Sequence, residues 1–211
     1  MKAPVPIALG FRAGRGGAVA VGVALDKPRV VLSRFLATAA EGDRLSREPY
    51  HVAAEMAQNA TGKVPAKAAA AVAEGRKRQD KLAAKGLDVI VEQLKGQGCK
   101  PVVAALLVNR AGWITDLLEY SLFAPEHPAV AEGLAVRDAL RFAFGHSGID
   151  VVEMDEKSLP EVAQKQLRLS PAAMESRLKD LGASAGKPWR KEQKLACLAA
   201  WVAITQRHKH A

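Results

Sequence analysis

Aromatic residues are scarce in this chain, at 5% of 211 positions, and alanine and valine supply most of the apolar volume. No apolar run approaches the roughly 18–20 residues needed to span a bilayer, so no membrane partner is expected. The opening MKAPVPIALGF lacks a charged n-region and a long apolar h-region with a cleavage site, and reads as a first strand. Cysteine is nearly absent. Cys99 and Cys197 lie far apart, and neither has a ligand partner at metal-site spacing, so no metal is expected. Two such cysteines fit a reducing cytoplasm, and Cys197 reads as a small buried hydrophobe. There is no GxxxxGK[ST], no GxGxxG opening a helix after a strand, and no convincing Ser/His/Asp or Cys/His arrangement. P-loop, dinucleotide and nucleophilic-triad chemistry are disfavoured, and no cofactor is expected.

What is present is a chain with 49% hydrophobic residues, enough for one good core, and a net charge of +9. A single domain over residues 1–211 is the expectation. The charge favours an anionic partner, nucleic acid first. It is unevenly spread: cations dominate the N-terminal quarter, the stretch from Lys63 to Lys100 and the tail after Arg177, while Asp116 to Glu161 is acidic.

The first third reads as strand. VPIALGFRA, AVAVGVAL and RVVLSRFLATA are apolar runs bounded by Gly, Asp and Pro, with hairpin-length connections, and predict a three-stranded antiparallel meander. PYHVAAEMAQNA predicts a short helix led by Pro49. Residues 59–78, rich in Ala, Lys and Gly, read as the most flexible connector, although TGKVPAKAAAAVAEG also carries an alanine run with Pro65 suited to the first turn of a helix. From Arg76 to Gln97 the stripe Leu87, Ile90, Val91 and Leu94 predicts a helix. KPVVAALLVNRAGW predicts a buried strand. A helix follows from about Pro128 to Phe144, then a short strand in IDVVEMD. Three further helices close the chain: SLPEVAQKQLRL, SPAAMESRLKDLG and the terminal KEQKLACLAAWVAI. In the last, Ala196, Ala199, Ala200 and Ala203 form a small-residue face suited to close packing on a sheet, and the helix is apolar nearly all round, hence buried.

The order β-β-β-α-(α)-β-α-β-α-α-α predicts a mixed five-stranded sheet with helices on both faces. It resembles the ribonuclease-H-like superfamily, which includes the RuvC-type Holliday-junction resolvases. Locally, YHVAAE, HPAVAEGLAVRDAL and PWRKEQKLACLAAW resemble a group of bacterial proteins of the same layout, a resemblance that implies a fold and no activity. Nucleases of the superfamily hold divalent ions with carboxylates on the first and fourth strands and a late helix. Here Arg12 stands where the first acid is expected, the fourth strand has none, and the late helix offers Glu192. The resemblance therefore implies a protein without metal-dependent nuclease activity.

Four groups stand out as candidate sites. Arg12 and Arg15 flank the Gly-rich hairpin GFRAGRGGAV and are placed to meet an anion. His51 and Glu55, next to Tyr50, are four apart and share a helix face. His127, Glu132, Arg137 and Asp138 cluster at the start of the central helix. Glu132 borders its buried stripe and calls either for a structural ion pair, which Arg137 or Arg141 could supply, or for a cleft to face. Trp189 lies among Lys187, Arg190, Lys191 and Lys194, where an indole either stacks on a base or covers the end of the core. The expected catalytic candidates are thus Glu132, His51 and His127, and the expected ligand-binding residues Arg12, Arg15, Arg137, Trp189, Lys191 and Lys194. The favoured function is non-catalytic binding of nucleic acid. The alternatives are an enzyme acting on a nucleotide or phosphorylated small molecule, and a scaffold that pairs with itself as a homodimer or with another protein.

Overall fold

Strand β1 (Val5–Gly14) leads into β2 (Gly17–Ala24) and β3 (Arg29–Ala37). Helices α1 (Arg44–Arg47), α2 (Pro49–Ala57) and α3 (Ala66–Gly96) precede β4 (Cys99–Val108). Then come α4 (Leu117–Phe123), α5 (His127–Ser147) and β5 (Val151–Asp155), and last α6 (Leu159–Leu167), α7 (Pro171–Ala185) and α8 (Lys191–Lys209). This is a computed structural model describing residues 3–24, 28–58, 64–109 and 113–209.

The five strands form one mixed sheet in the order β3-β2-β1-β4-β5. The meander is antiparallel, while β4 and β5 run parallel to β1. The β1–β2 hairpin closes on Arg15 and Gly16, with Gly14 paired to Gly17. Gly16 has φ 73°, a left-handed conformation that costs a residue with a Cβ and is free for glycine.

Period-two alternation divides β1 between two cores. Ile7, Leu9 and Phe11 point into one with Leu87, Ile90 and Leu94 of α3 and Leu140 and Phe144 of α5. Ala8 points into the other, with Leu178 and Leu181 of α7 and the apolar length of α8. On that second face the backbones approach so closely that a Cβ at Gly10 would overlap the Ala196 carbonyl. The predicted small face of α8 is what permits this: Ala196, Ala199, Ala200 and Ala203 are buried. Small residues on both partners let helix and strand meet backbone to backbone.

Three expectations shift. The helix predicted from Arg76 begins at Ala66, so most of the supposed connector 59–78 is helical; residues 59–63 lie outside the described residues. Its alanine run has high helix propensity, and Ala68 and Val72 bury against Tyr50, Ala53 and Ala131. The strand predicted through Trp113 ends at Val108. The central helix runs from His127 to Ser147 and stops at Gly148, whose φ of 63° caps it. Among the described residues no helix is long and apolar enough to cross a membrane. Both cysteines are buried and free.

Candidate functional site

The three parallel strands end together, and their carboxyl ends gather polar and charged side chains from five elements. Arg12 projects from the end of β1 and Asn109 follows β4. Glu156 follows β5, Arg137, Asp138 and Arg141 come from α5, and Glu192 from the first turn of α8. In open α/β sheets this end of the strands is the usual ligand crevice.

Arg12 meets Glu156 in a two-pronged ion pair, Nε to Oε2 and Nη2 to Oε1, both 3.0 Å. Its third nitrogen, Nη1, lies 3.9 Å from Glu192. The guanidinium thus sits between two carboxylates, at the strand position where the resemblance calls for an acid. Among the described residues no three His, Cys, Asp or Glu side chains are grouped to hold a metal ion. The guanidinium offsets one of the two carboxylate charges, holds both oxygens of Glu156 and repels a second cation, so the residues present do not fit a divalent ion.

Beyond Arg12 opens a cleft of about 520 Å³ lined by Tyr50, Arg76, Asn109, Arg137, Asp138 and Arg141, among others. Two of its arginines are compensated. Arg76 donates to Asp138 at 2.7 Å; Arg141 donates to Asp138 at 2.7 Å and to Glu153 at 2.6 Å. Arg137 differs: it donates to Asn109 at 2.6 Å, a neutral acceptor, and its Nε is buried without a partner. Burial pulls its pKa below the usual arginine value; Glu156 and Glu153 pull it back up, while Arg141 and Arg12 add to the fall. Arg137 thus lacks the direct carboxylate contact that its two neighbours have.

Next to the cleft, and sharing Ile114, Thr115 and Asp116 with it, lies an open hollow of about 390 Å³. It is rimmed by Trp113, Tyr120, Phe123 and His127. Tyr120 and His127 stack with ring centroids 3.9 Å apart, Trp113 meets Tyr120 edge-on at 5.5 Å, and Phe123 lies 5.8 Å from His127. Trp113 is 70% exposed and Phe123 85%. In a chain this poor in aromatics, such a cluster at the surface is not explained by core packing.

The sequence candidates fall into separate places. Glu132 is buried, and its partner is neither Arg137 nor Arg141. Its Oε1 accepts the backbone N–H of Tyr50 at 2.8 Å and of His51 at 3.2 Å. The reason is local: α2 has no side-chain cap of its own, so a carboxylate from α5 takes the free N–H groups of its first turn. His51 does come to Glu132, Nδ1 to Oε1 at 3.5 Å. Glu55 instead faces Arg44, which grips it with two donors. His127 joins the aromatic cluster and contacts the Tyr120 carbonyl through Nδ1 at 2.8 Å. Trp189 donates its indole N–H to the Leu178 carbonyl at 3.0 Å and lies so close over Gly182 that a Cβ there would overlap the ring. The indole therefore covers the end of the core, which leaves Lys191, exposed, and Lys194, half-buried, without an aromatic stacking partner. Arg15 is exposed at the hairpin tip.

Sequence reasoning missed Asn109, Glu156, Trp113, Tyr120 and Phe123. The one available signal was the concentration of three aromatics between residues 113 and 123 of an aromatic-poor chain. Nothing in the sequence ties Glu156 to Arg12.

The fold matches solved structures along nearly its whole length. Thermus thermophilus RuvC in complex with a Holliday junction substrate is 11% identical, with a TM-score of 0.55, over 96% of this chain and 95% of that one. Another Thermus thermophilus RuvC structure is 10% identical, with a TM-score of 0.54, over 97% of this chain and 96% of that one. At such identity the likeness shows the fold: this is a RuvC-type, ribonuclease-H-like α/β architecture. No protein-family model matches the chain, and no curated protein matches it significantly.

Proposed function

We propose that the protein binds nucleic acid without hydrolysing it, using the carboxyl ends of β1, β4 and β5. The observation that carries this reading is Arg137, a half-buried guanidinium that among the described residues makes no direct ion pair and whose Nε has no acceptor, beside a surface cluster of exposed rings. A phosphate would repay the desolvation of Arg137, and the rings offer faces on which unpaired bases stack. On α3, Lys77, Lys81 and Lys85 are exposed at four-residue spacing on the helix that supplies Arg76 to the cleft, a track for further phosphates. Arg12, held between Glu156 and Glu192, supports a non-catalytic reading, because it stands in place of a metal-binding acid. The RuvC structure bound to a Holliday junction makes junction DNA the first ligand to try. Free thiols in both cysteines are in keeping with a reducing, cytoplasmic setting.

The test is fluorescence anisotropy with labelled single-stranded DNA, duplex, four-way junction and RNA across a salt series. The expected result is micromolar or tighter binding that falls along a steep log–log salt slope, with no cleavage when magnesium is added. Absence of binding at low salt overturns the binding reading, and magnesium-dependent cleavage overturns the non-catalytic one.

A further inference from the structure

We infer that the free edge of β3 is a docking slot for an extended acidic peptide, which would add a sixth strand to the sheet. β3 is the outermost strand. β2 takes one of its edges, and among the described residues no backbone hydrogen bond reaches the other. An edge strand presents unused N–H and C=O groups that template another strand, and proteins usually cover or disrupt it. Here it is left open as the floor of a slot of about 410 Å³. Residues 30–34 of β3 form the floor, Gln93 of α3 stands on one side, and Ser184 and Ala185 of α7 on the other.

The chemistry of the slot selects its occupant. Val30 and Leu32 are buried and Val31 half-buried, so their side chains are committed to the fold and what the floor offers is chiefly backbone. Backbone of alternating donors and acceptors pairs with a strand; its carbonyls repel a phosphodiester chain. Among the described residues the one charged side chain lining the slot is Arg34, which donates to Gln93 Oε1 at 3.1 Å; no carboxylate lines it, and Arg29 is exposed at the start of the same strand. β3 itself contains no acid. These charges complement glutamate or aspartate on an incoming strand. They oppose a second copy of this chain, because antiparallel pairing of two β3 strands about Ser33 brings Arg34 diagonally close to its own symmetry mate. A single strand also fits between α3 and α7, whereas a second copy would bring the same two walls against them. Phe35, 53% exposed at the next position, gives the peptide an apolar contact beyond the slot.

The experiment uses the whole chain and two short capped peptides, one alternating valine with glutamate and one alternating valine with lysine. Backbone amide shifts and hydrogen exchange are read at residues 30–34. The glutamate peptide should protect these amides and bind at least about fivefold more tightly than the lysine peptide, the scale of one or two exposed ion pairs. Arg34→Glu should reverse that preference, and Ser184→Trp should block both peptides. Arg34 and Ser184 are exposed, so both variants should keep the wild-type melting temperature. The inference is overturned by failure of the glutamate peptide to protect residues 30–34, or by equal binding of the two. Protection that grows with protein concentration alone would assign the edge to a second copy and overturn it as well. So would the same protection by four-way junction or single-stranded DNA.

Discussion

The carboxylate of Glu132, midway along the chain on α5, caps the first turn of α2 by accepting the Tyr50 N–H at 2.8 Å and the His51 N–H at 3.2 Å. The contact joins residues 82 positions apart and fixes α2 against α5. Its second oxygen, Oε2, is buried without a partner. The arrangement fits a structural strut better than a general base, since the oxygen that works is already occupied by backbone.

Truncation at this position should therefore cost more than neutralisation. Glu132→Ala leaves two buried N–H groups without an acceptor and should lower stability by about 2–3 kcal/mol. Glu132→Gln keeps the accepting oxygen and should cost less than about 1 kcal/mol. Urea unfolding of the two variants decides between them; equal losses would mean that the charge, and not the cap, matters.

The same residue should give the protein an inverted pH profile. Burial pushes the Glu132 carboxyl from 4.5 up to about 7, against the pull of the two backbone hydrogen bonds. The folded state then holds this proton more tightly than the unfolded chain. The stability it confers is complete below about pH 4.5 and is lost as pH rises through about 7. Relative to Glu132→Gln, the wild type should lose up to about 3 kcal/mol between pH 4.5 and pH 8. Glu48 and Glu55, which hydrogen bonds from Arg44 hold below their usual range, titrate the opposite way and only below pH 4.5, so the two effects separate. A wild-type profile parallel to that of the variant would contradict the assignment.

Gly10 should be among the least replaceable positions in the sheet. A Cβ there would strike the backbone of Ala196, which cannot swing aside as a side chain would. Gly10→Ala should cost about 2–3 kcal/mol or more by forcing α8 off β1. Gly14→Ala, where nothing lies within 4 Å, is the control and should be close to neutral. Thermal melts of the pair give the comparison.

For nucleic-acid binding, Arg137 and Trp113 should fail differently. Arg137→Gln removes a charge and should weaken all nucleic acids alike while flattening the salt slope by about one unit. Trp113→Ala removes a stacking face and should cost about 1–3 kcal/mol for single-stranded DNA, with little loss for duplex and an unchanged slope. Titrations of both variants against single strand and duplex separate the two roles. A Trp113→Ala loss equal on both ligands would argue against stacking.

The amino-acid order alone specified what is decided locally. Alternating apolar residues and glycine turns gave the three-stranded meander. The helix stop at Gln97–Gly98 and the apolar run after it gave β4. The small, apolar faces of residues 195–204 placed α8 in the core. Its register against β1, where Gly10 meets the Ala196 carbonyl, came only from the packed structure. The position of Arg12 at the end of β1 was legible, because strand and turn are both local signals. The tertiary structure decided every pairing across elements. Arg12 and Glu156 are 144 positions apart, and they meet only when β1 and β5 end at the same edge of the sheet, with β4 between them. Glu132 was visible as a charge on an apolar stripe, but its partner is backbone at the start of α2, which carries no side-chain signature. The aromatic cluster forms because α4 and the start of α5 bring Tyr120, Phe123 and His127 beside Trp113. The early start of α3 likewise depends on Tyr50, Ala53 and Ala131, which give its alanine turns a surface to pack against. Periodicity fixes which face a helix buries; what that face meets depends on where the chain returns, and only the packed sheet sets that.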